Sequence, residues 1–196
     1  LFTGYNQINI LHKNMLKLSE EGYIQTSTQY SLTGKLNRYD KLNDISDNNP
    51  KYREWYYGPS HRVLQSVKLK KKYSTILFNQ NETSFAFQNI TESRNKQKFN
   101  DSLLSIRKEN LDVYDFNSDF IKNLKFFDLN YGFNFRYQNL KSTAYLKDTL
   151  NNKFYNTTRY PDGGSEVQNI SIYSQLNCNI IGSLFLYFGT RLNSNK

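Results

Sequence analysis

Asp115 and Asp119 are the first residues to weigh for chemistry, because paired carboxylates carry glycosidic hydrolysis. On one strand, four residues apart, they lie about 13 Å from each other. Such a pair needs roughly 5–9.5 Å, so a polar wall is the better account. His12 or His61 with Ser and Asp could be imagined as a hydrolytic set. No Gly-x-Ser-x-Gly stands near a strand-to-helix turn to support it, and both histidines read as ordinary polar positions. Asp44, Asp47, Asn48 and Asn49 hint at calcium but lack the Gly and terminal Glu of an EF-hand loop, and read as a solvated turn. With two His and the single Cys178 there is no structural zinc set and no internal disulfide. Asn-x-Ser/Thr triplets at Asn81, Asn89, Asn100, Asn156 and Asn169 are expected by chance in so Asn-rich a chain. No catalytic residue, metal or cofactor is expected, and the chain does not read as an enzyme.

Binding offers better candidates: Arg38, Tyr39, Asp40, Trp55, Tyr56, Tyr57, Arg159, Tyr160 and Asp162. Aromatic and Arg side chains give rigid area and directed hydrogen bonds at low entropy cost. The competing reading is structural: these residues pack the loops on one another, or the Trp and Tyr form an interfacial aromatic girdle. An Arg38 paired with Asp40 or Asp162 would serve loop order rather than recognition.

The elements that must position these residues are strands. Phe127 to Gln138 alternates without a slip: Phe127, Leu129, Tyr131, Phe133, Phe135 and Tyr137 against Asp128, Asn130, Gly132, Asn134, Arg136 and Gln138. A period of two is a strand with one apolar and one wet face. Soluble strands usually run about 5–6 residues, whereas a tilted strand crossing a bilayer needs about 9–11. A one-residue slip would turn Asp128 and Arg136 to the apolar side, which in a membrane costs about 2–4 kcal/mol for the cation.

Ile8 to Leu18 fits either a strand, with His12 and Asn14 interrupting its apolar parity, or a helical stripe. A strand is preferred because Tyr23 to Thr33, just beyond a short polar turn, alternates well. Further strands are expected over His61–Lys71, Glu82–Arg94, Leu103–Asn123, Val167–Cys178 and Ser183–Leu192, making about eight with no long helix. Connections alternate in length: short at 19–22, 72–81, 124–126 and 179–182, longer at 34–60, 95–102 and 147–165. The stretch 34–60 reads as irregular. Long loops at one end and short turns at the other are the asymmetry of outer-membrane barrels.

The totals agree. Mean hydropathy is −0.76 and no apolar run approaches a transmembrane helix, which leaves a β-barrel open. The net charge of +9 could suggest nucleic acid or an acidic surface. Its one dense run, Lys68 with Lys70 to Lys72, lacks interleaved stacking aromatics, so the excess reads as solvated surface and no nucleic-acid partner is expected.

Arg38-Tyr39-Asp40-Lys41-Leu42, Glu54-Trp55-Tyr56-Tyr57-Gly58-Pro59 with Arg62, Glu92-Ser93-Arg94, Ser142-Thr143-Ala144-Tyr145 and Thr158-Arg159-Tyr160-Pro161-Asp162-Gly163-Gly164-Ser165 together resemble the barrel of TonB-dependent outer-membrane receptors, Bacteroidetes-type ones above all. Order and spacing match over nearly the whole chain. Two positions depart: Asn37 where Pro is expected, and Ser60-His61 where Gln-Lys is more usual. The resemblance implies an all-β fold, an antiparallel up-and-down transmembrane β-barrel of which residues 1–196 supply about eight strands as a single domain without a plug. It also implies a location in the outer membrane of a Gram-negative bacterium, in contact with lipid. Active uptake of a small nutrient would follow (siderophore-iron or another metal chelate, cobalamin or glycan), driven by the TonB complex through a plug domain. Two alternatives stay open: an intact eight-stranded barrel, and a secreted β-rich module for carbohydrate or nucleic acid.

Overall fold

The computed structural model describes residues 4–46, 48–157, 164–182 and 184–196. Eight long strands dominate: β1 (Gln7–Ser19), β2 (Gly22–Thr33), β3 (Ser60–Lys72), β4 (Gln80–Lys98), β5 (Leu103–Asn123), β6 (Phe127–Asp148), β7 (Ser165–Ile181) and β8 (Leu184–Asn195). Each is antiparallel to the next in chain order, so the sheet is a plain up-and-down meander. The ambiguous stretch around Ile8–Leu18 is strand, paired with β2 along its length. Among the described residues β1 and β8 pair on one side only, so the eight strands do not close on themselves. That corrects the alternative of an intact eight-stranded barrel.

The described residues form no second layer over the long sheet. Among the described residues no hydrophobic side chain is buried, and Phe133 and Phe135 stay 39% and 37% exposed. The exposed surface is 13871 Å², against about 9,700 Å² expected of a compact monomer of this mass. A soluble sandwich would hide one face of each sheet, so the secreted-module alternative has no core here to stand on.

Cross-strand register sorts side chains into two faces. One row runs Val67–Phe85–Phe116–Phe135–Ile170 across β3 to β7, and the next runs Gln65–Phe87–Tyr114–Tyr137. Ring pairs Phe116–Phe133 and Phe120–Tyr131, centroids 5.4 and 5.1 Å apart, tie the apolar face together. The other face is a polar network. Arg136 Nε donates to Asp115 at 2.6 Å, and Asn117 also donates to Asp115. Asn134 donates to Asn117, Tyr173 donates to Asp119, and both Lys68 and Lys70 pair with Glu82. Asp115 and Asp119 do share this wall, and the Lys run is partly engaged with Glu82 instead of being merely solvated.

Gly132 keeps this wall flat. A Cβ there would stand 2.4 Å from the Ser118 carbonyl oxygen and 2.6 Å from the Tyr173 hydroxyl. Tyr173 is its register partner on β7 and crosses the glycine to reach Asp119 on β5, an aromatic ring filling the gap left by a missing side chain.

Three expectations about connections change. β4 runs on to Lys98 and pairs with β5 as far as Lys96, so the expected loop 95–102 shrinks to residues 99–102. The described residues of 34–60 are not irregular throughout: Tyr39–Leu42 is one helical turn, Ile45–Ser46 pairs with Asn49–Pro50, and Tyr52–Tyr57 pairs with the top of β4. Within 147–165, Phe154–Thr157 pairs back on β6. For β4, Tyr52–Tyr57 and Phe154–Thr157, backbone groups past the expected strand end find ladder partners because a long neighbouring strand supplies them.

Candidate ligand-binding site at the loop end

The site begins with how Tyr52–Tyr57 meets the sheet. Its residues continue the line of β3 beside β4, interrupted at Gly58 and Pro59. Gly58 sits at φ 85° and donates its N–H to the Ser93 carbonyl at 2.9 Å. A side chain there would meet the Gly34 carbonyl oxygen at 2.5 Å, so only glycine fits the crossing. Strand alternation then sends Trp55 and Tyr57 to the polar face, paired with Lys96 and Arg94, and Tyr56 to the opposite face beside Asn95.

Arg38 completes one half of the cluster. Its backbone N–H donates to the Trp55 carbonyl at 2.8 Å, and its own carbonyl accepts from Lys41 and Leu42. The guanidinium donates twice to Asp40, at 2.8 and 2.6 Å, and once to the Tyr57 hydroxyl. It also lies 5.4 Å from the centroids of both the Trp55 and Tyr57 rings. The fork-to-carboxylate bond with Arg38 draws the Asp40 pKa down to about 2, and the same bond with Asp40, then that with Tyr57, raises the Arg38 pKa. The Arg38–Asp40 pairing raised in the sequence is therefore present, and its immediate effect is to order the loop.

The structure brings Arg38, Asp40, Trp55 and Tyr57 together. Tyr56 is separate: Lys35 sits 4.0 Å over its ring and pairs with Glu54, while burial pushes the Tyr56 hydroxyl pKa up. Tyr39 is exposed on the helical turn. Arg159, Tyr160 and Asp162 lie outside the described residues, as does Asp47. Asp44 pairs with Lys41 at 3.4 Å, at the edge of the turn read as solvated.

Three cationic residues were missed as site residues. Arg94 and Arg107 are direct partners across the β4–β5 ladder, and Lys96 follows two positions along β4 on the same face. Arg94 lies 5.8 Å from the Tyr57 ring centroid and Lys96 5.7 Å from that of Trp55. With Ser105 they line a cavity of about 130 Å³. The sequence signal was weak: Arg94 stood in a motif, but only register shows that Arg107 faces it.

No protein-family model and no curated protein matches this sequence. The fold defines the class, an all-β antiparallel up-and-down sheet, and solved structures share it. In particular the chain is similar to the copper transporter OprC, with a TM-score of 0.74 at 10% identity. It is also similar to the ferric citrate transporter FecA in its unliganded form, with a TM-score of 0.56 at 14% identity. These matches cover 96% and 97% of this chain but 28% and 29% of those, so it spans less than a third of their length. Both are transporters by name.

Proposed function

We propose that this chain is part of the wall of a TonB-dependent outer-membrane receptor of Bacteroidetes type, taking up a small nutrient such as a metal chelate, cobalamin or a glycan. The apolar face lies against lipid, the polar face lines a watery interior, and the described residues of the connections between β2 and β3, β4 and β5, and β6 and β7 face outward. One observation carries this reading: a sheet rich in aromatics with no buried hydrophobic side chain among the described residues. Hydrocarbon is the environment that would cover such a face without a second layer. Unpaired backbone in lipid costs several kcal/mol per group, so the free edges of β1 and β8 require further strands beside them. Coupling to the TonB complex would come through a plug domain. Residues 1–196 would then be one barrel portion.

The test uses single cysteines in a Cys178→Ser background, with the protein in lipid vesicles. Cysteine at position 134 should react with a water-soluble maleimide, and cysteine at 133 should be protected and quenched by lipid-borne spin labels. Equal reactivity at the two positions would end the membrane reading.

A further inference from the structure

We infer that the mouth of this wall holds an anionic group of its ligand, a carboxylate or phosphate, between Arg94, Arg107 and Lys96. The inference deepens the receptor reading and rests on it for which face meets the ligand. Residues directly opposite on neighbouring strands have Cβ atoms about 4.5–5.5 Å apart, where like charges repel. Arg94 and Arg107 occupy such a pair of positions. Among the described residues neither forms an ion pair. The carboxylates two positions along the same strands, Glu92 and Glu109, face each other on the same wall but hold neither arginine in an ion pair. Arg38 is the internal contrast, since it reaches the same aromatic pair and already holds Asp40 in a fork.

The surroundings favour an oxyanion over a passive charge cluster. Ala144 opposes Arg107 on its other side, where it offers no charged or hydrogen-bonding side chain, and Arg107 is half-buried. Trp55 and Tyr57 wall the cavity and stack against Lys96 and Arg94, which holds the cations while leaving hydrogen-bond donors available. Ser105, paired with Lys96, adds a hydroxyl to the lining. Two guanidinium forks and an ammonium on one wall match a carboxylate or phosphate in geometry and charge.

Trp55 is the sole tryptophan of the chain and borders the cavity, so its fluorescence reports the site. The protein in detergent micelles at low salt is titrated in separate arms with inorganic phosphate and with succinate, against chloride as control. One or both anions should change the emission saturably, and the arm that does so identifies the anion class. R94Q/R107Q should weaken that binding at least tenfold, while R107K, keeping the charge without the fork, should retain an intermediate affinity. In anion-free buffer R107Q should raise the thermal midpoint by relieving repulsion. The anion should raise the midpoint of the wild type and leave that of R94Q/R107Q unmoved. No response to either anion, undiminished binding by R94Q/R107Q, or a lowered midpoint for R107Q would overturn the site. The labelling contrast at positions 133 and 134 reads the membrane assignment separately from any of these results.

Discussion

The same strands behave differently below and above Gln138. Below it, β5 and β6 keep their faces apart, aromatics on one side and, on the other, acids that each have a partner: Asp115 with Arg136, Asp119 with Tyr173, Glu82 with Lys68. Above it the register continues unbroken, but the formerly apolar parity turns polar at Asn139, Lys141 and Thr143, opposite Asp112, Asn110 and Lys108. On the other face like charges now stand opposite one another, Glu92 with Glu109 and Arg94 with Arg107. Backbone pairing does not change across the boundary; what changes is the kind of side chain each face carries. The lower half suits hydrocarbon on one side and compensates its own charge, whereas the upper half suits water on both sides and leaves charge to be met from outside.

Substitutions can break that contrast, and the largest effect belongs to the lower apolar face. Phe133→Arg should cost about 2–4 kcal/mol in vesicle refolding titrations, while Thr143→Arg, on the same parity of the same strand, should leave stability unchanged. Equal costs would erase the boundary. Next comes Gly132→Ala, which pushes a methyl into the Ser118 carbonyl and displaces Tyr173. Overpacking of this kind costs about 1–3 kcal/mol and would show as a lowered denaturation midpoint. Asp115→Asn removes the charge and one of the two oxygens that accept from Arg136 and Asn117, and should cost about 1–2 kcal/mol, read the same way. The smallest effect lies in the mouth. The Asp40 pKa is lowered by Arg38, so the contribution of that pair is fully present above the unfolded value near 4 and is lost as pH falls through about 2. Trp55 emission should therefore hold steady from neutral pH to about 4 and shift only near pH 2. Asp40→Asn should show the acid-like emission already at neutral pH.

Much of the lower half was legible because its two environments differ so sharply that alternation alone reveals the strand. Phe127–Gln138 is the clearest case, and the expected strands fall within those observed except at Ser183, which lies outside the described residues. The upper half was harder to read. Once both faces are polar, period two carries no hydrophobic signal, which is why β4 seemed to end at Arg94 instead of Lys98. The pairing of Tyr52–Tyr57 with β4 depends on a crossing at Gly58 that no periodicity reports. Candidate residues fared by the same logic. Arg38 and Asp40, two apart, were readable as a local pair, while Tyr56 was grouped with Trp55 and Tyr57 although alternation puts it on the opposite face. Arg107 looked like any surface arginine until the register set it against Arg94.

The height of β6 has one more consequence. Arg107, opposite Ala144 six residues beyond Gln138, and its partner Arg94 stand about 15 Å clear of the apolar face, at a rise of roughly 3.3 Å per residue and a tilt near 40°. Charges held so far from hydrocarbon are screened by ordinary electrolyte, whose Debye length is about 8 Å at physiological ionic strength. A solute drifting past therefore feels the arginines only at close quarters. Capture there would depend on fit at short range, and it would weaken as the medium becomes saltier.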